Sequence, residues 1–233
     1  MTYRPAGAGG TLQAVLFDMD GTLLDSEKVW DVALDDLAES LGGQLSASGR
    51  ARMVGTPLGR SIAILHDDLG VNVDAESSGA YLLSRVAELF ARPLPWRPGA
   101  RELLDAVADA GVPAGLVTST HRGLTNLALR TLGADRFAVV VCGDDDVAAK
   151  PAPDPYLMAA GQLGVAPEHC VAIEDSPVGL RAARTAGCAV LVVPNDVAIE
   201  PEPGIELRPS LEGVTVADLR ALVEGHVSAR VRA

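Results

Sequence analysis

The sequence is short of aromatic residues, of cysteine and of basic charge. Two tryptophans, three tyrosines and three phenylalanines make up 3% of its 233 residues. Any core must therefore be filled with Ala, Val and Leu, which suits helices packed closely on a sheet. The three cysteines, Cys142, Cys170 and Cys188, stand far apart with no C-x-x-C pair. That argues against a disulfide framework and for a reducing compartment, with each thiol acting as a small buried apolar residue. Nineteen Lys and Arg face 31 Asp and Glu, a net charge of −12 at pH 7. This balance speaks against a nucleic-acid partner, because a polyanion needs a basic face. No apolar run approaches the roughly 20 residues that cross a bilayer. Met1–Thr11, rich in Gly and Ala, lacks the apolar centre of a secretory signal. The expectation is a soluble, cytoplasmic monomer with neither a nucleic-acid nor a membrane partner.

With 48% hydrophobic and 21% charged residues, the composition is that of a globular chain rather than a disordered one. Short apolar runs break off abruptly into polar residues: Ala14–Phe17, Val112–Val117, Val139–Cys142, Cys170–Ile173 and Ala189–Val193. Such runs read as strands buried on both faces. Helical periods lie between them at Arg101–Ala110, Gly123–Leu132, Asp154–Leu163 and Val178–Ala186, each followed by a glycine. The alternation predicts a three-layer α/β/α domain around a parallel sheet. It fails between Asp25 and Trp96, where only helical stripes occur: Trp30, Leu34, Leu37 and Leu41; Ile62, Leu65 and Leu69; Leu82, Leu83, Val86, Leu89 and Phe90. An all-helical module over residues 25–96 is thus expected inside a sheet domain made of residues 1–24 and 97–233. Val54–Gly59 reads as a loop, as does the Pro/Glu-rich Glu200–Pro209, with a last helix near Val216–Glu224.

Open α/β sheets bind ligands at the carboxyl ends of their strands. The residues that follow the strands are Asp18, Met19 and Asp20; Thr118, Ser119 and Thr120; Asp144–Asp146 and then Lys150; and Glu174 with Asp175. Side chains i and i+2 of an extended segment share a face, so Asp18 and Asp20 can reach one reacting centre. Two adjacent carboxylates repel unless a cation lies between them, which predicts a divalent metal with Asp175 as a further oxygen ligand. An all-oxygen site that keeps room for water and substrate suits Mg²⁺. The histidines show no ligand spacing, which argues against zinc. Thr118 and the turn after it offer a hydroxyl and amides to phosphoryl oxygens, and Lys150 offers a point charge. Asp144–Asp146 reads as a solvated acidic turn.

Four segments then carry a resemblance. DMDGTLLDSE (Asp18–Glu27), LVTST (Leu116–Thr120), Lys150-Pro151-Ala152-Pro153-Asp154 and IEDSPVGLRAA (Ile173–Ala183) resemble, in order, the four motifs of the haloacid dehalogenase superfamily. The resemblance implies a Rossmann-like core with a helical (C1) cap between the first and second motifs. It implies that Asp18 forms an aspartyl-phosphate and that Asp20 serves as acid and then base. It further implies that Thr118, the Ser119 amide and Lys150 hold the phosphoryl group. Mg²⁺ would be bound by the Asp18 carboxylate, the Asp20 main-chain carbonyl and Asp175, with Glu174 in or beside the shell. An aspartate at position 20 selects phosphatases and phosphosugar mutases over dehalogenases, phosphonatases and P-type ATPases. The cap start, Asp25-Ser26-Glu27 with Trp30, is similar to phosphatases of the 2-deoxyglucose-6-phosphate phosphatase kind. It is also similar to β-phosphoglucomutase, whose cap histidine aligns with Trp30 here and whose cap arginine aligns with Leu58. The expected activity is therefore that of a phosphomonoester phosphatase, with a phosphorylated sugar, polyol or similar small metabolite as its partner. A phosphosugar mutase is the alternative, and a non-turning-over binding protein is a distant third. Glu27, Trp30, Arg52, Thr56, Arg60 and His121 are the candidate substrate contacts, the cap closing over the substrate.

Overall fold

The computed structural model describes residues 12–53, 56, 58–195 and 197–231, and the side chains of Glu27 and Val231 lie outside that description. Met1–Thr11 and Val54, Gly55 and Pro57 of the expected loop also fall outside it. The Val- and Ala-rich runs form β1 (Ala14–Phe17), β2 (Ala114–Val117), β3 (Val139–Val141), β4 (Cys170–Glu174) and β5 (Ala189–Val192). A sixth strand, β6 (Ile205–Leu207), lies inside the stretch expected to be a loop. Its three residues sit between Pro203 and Pro209 and are only half-buried at the sheet edge, so they carry no apolar run to read. All pairings are parallel, in the order β3-β2-β1-β4-β5-β6. The β1, β2, β4 and β5 residues are buried throughout, as strands covered by helices on both faces must be.

Helices α1 (Glu27–Ser40), α2 (Ala47–Met53), α3 (Leu58–Leu69) and α4 (Ala75–Phe90) fill the interval between β1 and β2 apart from α5 (Ala100–Asp109). The remaining connections are α6 (Arg122–Leu132), α7 (Asp154–Leu163), α8 (Pro177–Ala186) and α9 (Val216–Val231). The last helix runs well past the expected Glu224. His226 and Arg230 donate to the Gly187 carbonyl at 2.9 and 3.4 Å, tying its final turns to the start of β5. One face of the sheet packs Leu16, Val117, Val141, Ala172 and Val190 against Tyr156, Ala159, Ala160, Ala182 and Ala183. Small side chains let α7 and α8 approach the strands closely, and Tyr156 is the lone aromatic in that cluster.

The chain divides into two compact units, one made of the segment up to Asp25 and from Pro95 onward, the other Ser26–Leu94. Asp25 donates its amide to the Pro95 carbonyl at 2.9 Å and Leu24 bridges Trp96, so both crossing strands are fastened within the sheet unit. Within the helical unit, Leu37, Ile62, Leu65, Leu82, Val86 and Phe90 are buried. Leu83 departs from its expected stripe. It stands 43% exposed, because one residue step turns it about 100° away from Leu82. Arg85 of α4 reaches Asp36 of α1 at 2.6 Å, Arg50 of α2 reaches Asp31 and Asp35 at 2.5 Å, and Arg52 reaches Asp67 of α3 at 2.8 Å. Asp74 caps α4 by accepting from the Ser77 amide at 2.7 Å.

Gly99, at the entry to α5, has φ of 77°. A Cβ there would lie 2.2 Å from the Glu212 amide and from the Leu211 carbonyl carbon. Gly99→Ala is expected to destabilise the chain by about 1–3 kcal/mol, through left-handed backbone strain and overpacking against backbone that cannot rotate away. A lower urea midpoint at unchanged slope is the expected signature.

Candidate active site

The strand order reverses between β1 and β4, so the ends of those two strands open a crevice at the carboxyl edge of the sheet. Asp18 directly follows β1 and is 6% exposed; its amide donates to the Ile173 carbonyl of β4 at 3.0 Å. The chain then turns back on itself. Leu23 and Leu24 amides donate to the Met19 carbonyl, and Gly21, at φ of 78°, donates to the Leu24 carbonyl. This loop buries Met19 while leaving Asp20 half-exposed. A side chain on Gly21 would begin 2.1 Å from Asp175 Oδ2 and 3.2 Å from Asn195 Nδ2. The backbone thus comes as close to these two side chains as glycine allows.

Lys150 joins three strand ends. Its Nζ donates to Asp18 Oδ1 at 2.7 Å, to Glu174 Oε1 at 2.7 Å and to the Val117 carbonyl at 2.9 Å. Burial opposes the ammonium charge, but Asp18 and Glu174 outweigh it and hold the lysine above its ordinary value. Tyr156 also donates to Glu174 Oε1, and its ring lies 5.1 Å from Lys150 Nζ. Burial and the Glu174 charge raise that phenol, which keeps it a donor. Thr118 and Thr120 hydroxyls both donate to Asp20 Oδ2, at 3.1 and 2.8 Å, while the Thr120 amide donates to Thr118 Oγ1 at 3.0 Å. Gly143 seats this turn: a Cβ there would lie 1.9 Å from the Ser119 carbonyl oxygen.

Asp18, Glu174 and Asp175 each bring a carboxylate oxygen within 4.8 Å of the others. Burial pushes Asp18 well above the usual carboxylate range despite Lys150, with Glu174 and Asp175 adding to the rise. Burial, with Glu174 next, pushes Asp175 up to about 7. One lysine does not balance this much negative charge. An oxygen-only donor set with surplus charge fits a hard divalent cation.

The structure thus brings Asp18, Asp20, Thr118, Lys150, Glu174 and Asp175 to one sheet edge, with Ser119 exposed beside them. His121 is exposed at the start of α6. In the helical unit Trp30 is half-buried and Arg60 exposed. Thr56 donates to the Met53 carbonyl at 2.8 Å, and Arg52 is paired with Asp67. The side chain of Glu27 lies outside the described residues. Asp144 and Asp145 form a turn latched to α6: Asp144 accepts from the Arg122 amide at 2.7 Å and Asp145 from its guanidinium at 2.7 Å. Tyr156 and Asn195 are residues that the sequence motifs do not mark. Asn195 follows β5, and the strand-end rule carried one strand further reaches it. Tyr156 carries no such signal, because its position on a helix next to Lys150 exists only after folding.

The haloacid dehalogenase-like hydrolase family profile matches residues 12–187. A phosphorylated carbohydrates phosphatase of Thermotoga maritima is 34% identical over 177 residues, 76% of this chain and 82% of that protein. Hexitol phosphatase B of Escherichia coli O157:H7 is 30% identical over 230 residues, 90% of this chain and 93% of that protein. The crystal structure of CbbY from Rhodobacter sphaeroides in complex with phosphate superposes with a TM-score of 0.73 at 29% identity, covering 89% of this chain and 99% of that one. The chain belongs to the haloacid dehalogenase-like hydrolases. Among the described residues, no helix is long and apolar enough to cross a membrane.

Lys150 is 4% exposed at its side chain, with Glu174 at 0%. Lys150→Met is expected to cost about 3–5 kcal/mol, because it strands buried carboxylates without a partner. Adding Glu174→Gln should return part of that loss, with a coupling of about 1–3 kcal/mol in a double-mutant cycle of chemical denaturation.

Proposed function

We propose that this hydrolase is a Mg²⁺-dependent phosphomonoesterase for small phosphorylated sugars or polyols, working through an aspartyl-phosphate on Asp18. The observation that carries it is the Lys150 ammonium held 2.7 Å from Asp18 Oδ1, two residues before an aspartate braced by two threonine hydroxyls. That pairing joins a buried nucleophile to a separate acid–base group on one loop. The names of the related phosphatases support the reaction class and the kind of substrate.

In the first half-reaction an Asp18 carboxylate oxygen attacks phosphorus, the phosphorus–alkoxide bond breaks, and Asp20 delivers its proton to the departing alkoxide. In the second, Asp20 removes a proton from water, whose oxygen attacks the same phosphorus and displaces Asp18. Thr118, the turn at Ser119 and Lys150 bind the phosphoryl oxygens. Asp18, Glu174, Asp175 and the Asp20 carbonyl would hold Mg²⁺, which would supply positive charge to offset that of the transferring phosphoryl group. A phosphosugar mutase, the alternative, would need a second anion site besides the one that holds the transferring phosphoryl group.

Phosphate release from p-nitrophenyl phosphate and a panel of hexose, polyol and nucleotide phosphates tests the proposal. Activity is expected to require Mg²⁺ and to fall more than about a thousandfold in Asp18→Asn, the cost of losing a covalent nucleophile. An Asp18→Asn enzyme with wild-type turnover would sink the assignment. Asp20→Asn is expected to keep a first-turnover burst of p-nitrophenolate, a leaving group that needs no proton. Steady-state release should slow, because the water then has no base. Loss of the burst together with turnover would contradict the role of Asp20.

A further inference from the structure

We infer that Tyr156 is a positioning residue that orients the Glu174 carboxylate offered to a divalent cation. The inference rests on the metal assignment proposed above. Tyr156 sits in the first turn of α7 and is wholly buried. Its hydroxyl donates to Glu174 Oε1, the same oxygen that accepts from Lys150 Nζ at 2.7 Å. A carboxylate oxygen has about two lone-pair directions, so these two donors saturate Oε1.

The other oxygen is in a different position. Among the described residues, Oε2 receives only the Ser176 hydroxyl, at 3.4 Å, a long contact. Gly179 closes the face of the carboxylate, since a side chain there would begin 2.0 Å from both oxygens. Ser176 and Gly179 both stand at the start of α8, so the carboxylate is held between α8 and the Tyr156–Lys150 pair, with an oxygen within 4.8 Å of oxygens of Asp18 and Asp175. A phenylalanine at position 156 would fill the same core volume and offer Lys150 the same ring face. What the hydroxyl adds is the second bond to Oε1, and with it the orientation of the carboxylate plane. Partners that orient a ligating side chain commonly alter metal affinity 10–100-fold when removed.

Isothermal titration of the metal-free protein with MgCl₂ tests this. Tyr156→Phe is expected to remain folded by circular dichroism and to weaken Mg²⁺ binding 10–100-fold, with kcat recovering at saturating Mg²⁺. Glu174→Asp keeps the charge but draws the carboxylate one methylene away from the phenol. It should weaken binding comparably without disturbing the core at α7. In a Glu174→Gln background, Tyr156→Phe should cause no further loss. Mg²⁺ affinity within twofold of wild type in Tyr156→Phe or Glu174→Asp overturns the inference. So does an equal loss from Tyr156→Phe with and without Glu174. A wild-type chain that binds no Mg²⁺ instead overturns the metal assignment beneath it, a result that no comparison of variants can imitate.

Discussion

A single buried ammonium holds the carboxyl edge of this sheet together. Lys150 touches the side chain that follows β1, the last carbonyl of β2 and the last side chain of β4. Its own position comes from the loop between β3 and α7. Three neighbouring strand ends of a parallel sheet, those of β2, β1 and β4, are thereby tied to one nitrogen. Each carboxylate would be costly to bury alone, and so would the lysine. Together they are tolerable only in one geometry, which makes the cluster a device for registering the strands as much as a chemical centre.

Around that point the fold substitutes backbone for side chain wherever polar groups converge. Gly21 lets the first loop lie against Asp175, Gly143 lets the third strand's turn lie under Ser119, and Gly179 lets α8 lie against Glu174. In each case a Cβ would sit about 2 Å from an oxygen, well inside contact distance. The threonine pair on Asp20 works differently. Two hydroxyls on one oxygen orient the carboxylate by hydrogen bonds while leaving the residue half-exposed. The group assigned to proton transfer is braced, and the group assigned to attack is buried.

Much of this is legible in the amino-acid sequence. The parallel sheet shows in Val- and Ala-rich runs that stop at polar residues, and the site shows in what those residues are. Asp18, Asp20, Thr118 and Asp175 follow strands, Glu174 ends one and Lys150 lies in the loop after β3, so one rule about strand ends finds them. The features that sequence does not reveal have physical reasons for staying hidden. Strand β6 is three residues long and bounded by prolines, below the length at which periodicity speaks. Tyr156 faces Glu174 from a helix, across a sequence distance that no local pattern spans. Arg52 reads as available for a ligand because sequence cannot show that Asp67, on the next helix, takes it.

Net charge is a poor guide to where a chain is acidic in effect. Many of the acids here stand beside arginines at the surface: Asp31 and Asp35 with Arg50, Asp36 and Glu88 with Arg85, Asp67 with Arg52. Pairs of that kind that stand exposed contribute little to stability, and paired charges of opposite sign also contribute little field. The carboxylates of the sheet edge are fewer but are buried, and burial, with the Glu174 charge adding to it, pushes Asp175 up to about 7 and Asp18 well above its usual range. A divalent ion held by those carboxylates would offset their charge and so favour the approach of an anion to an edge that otherwise repels it.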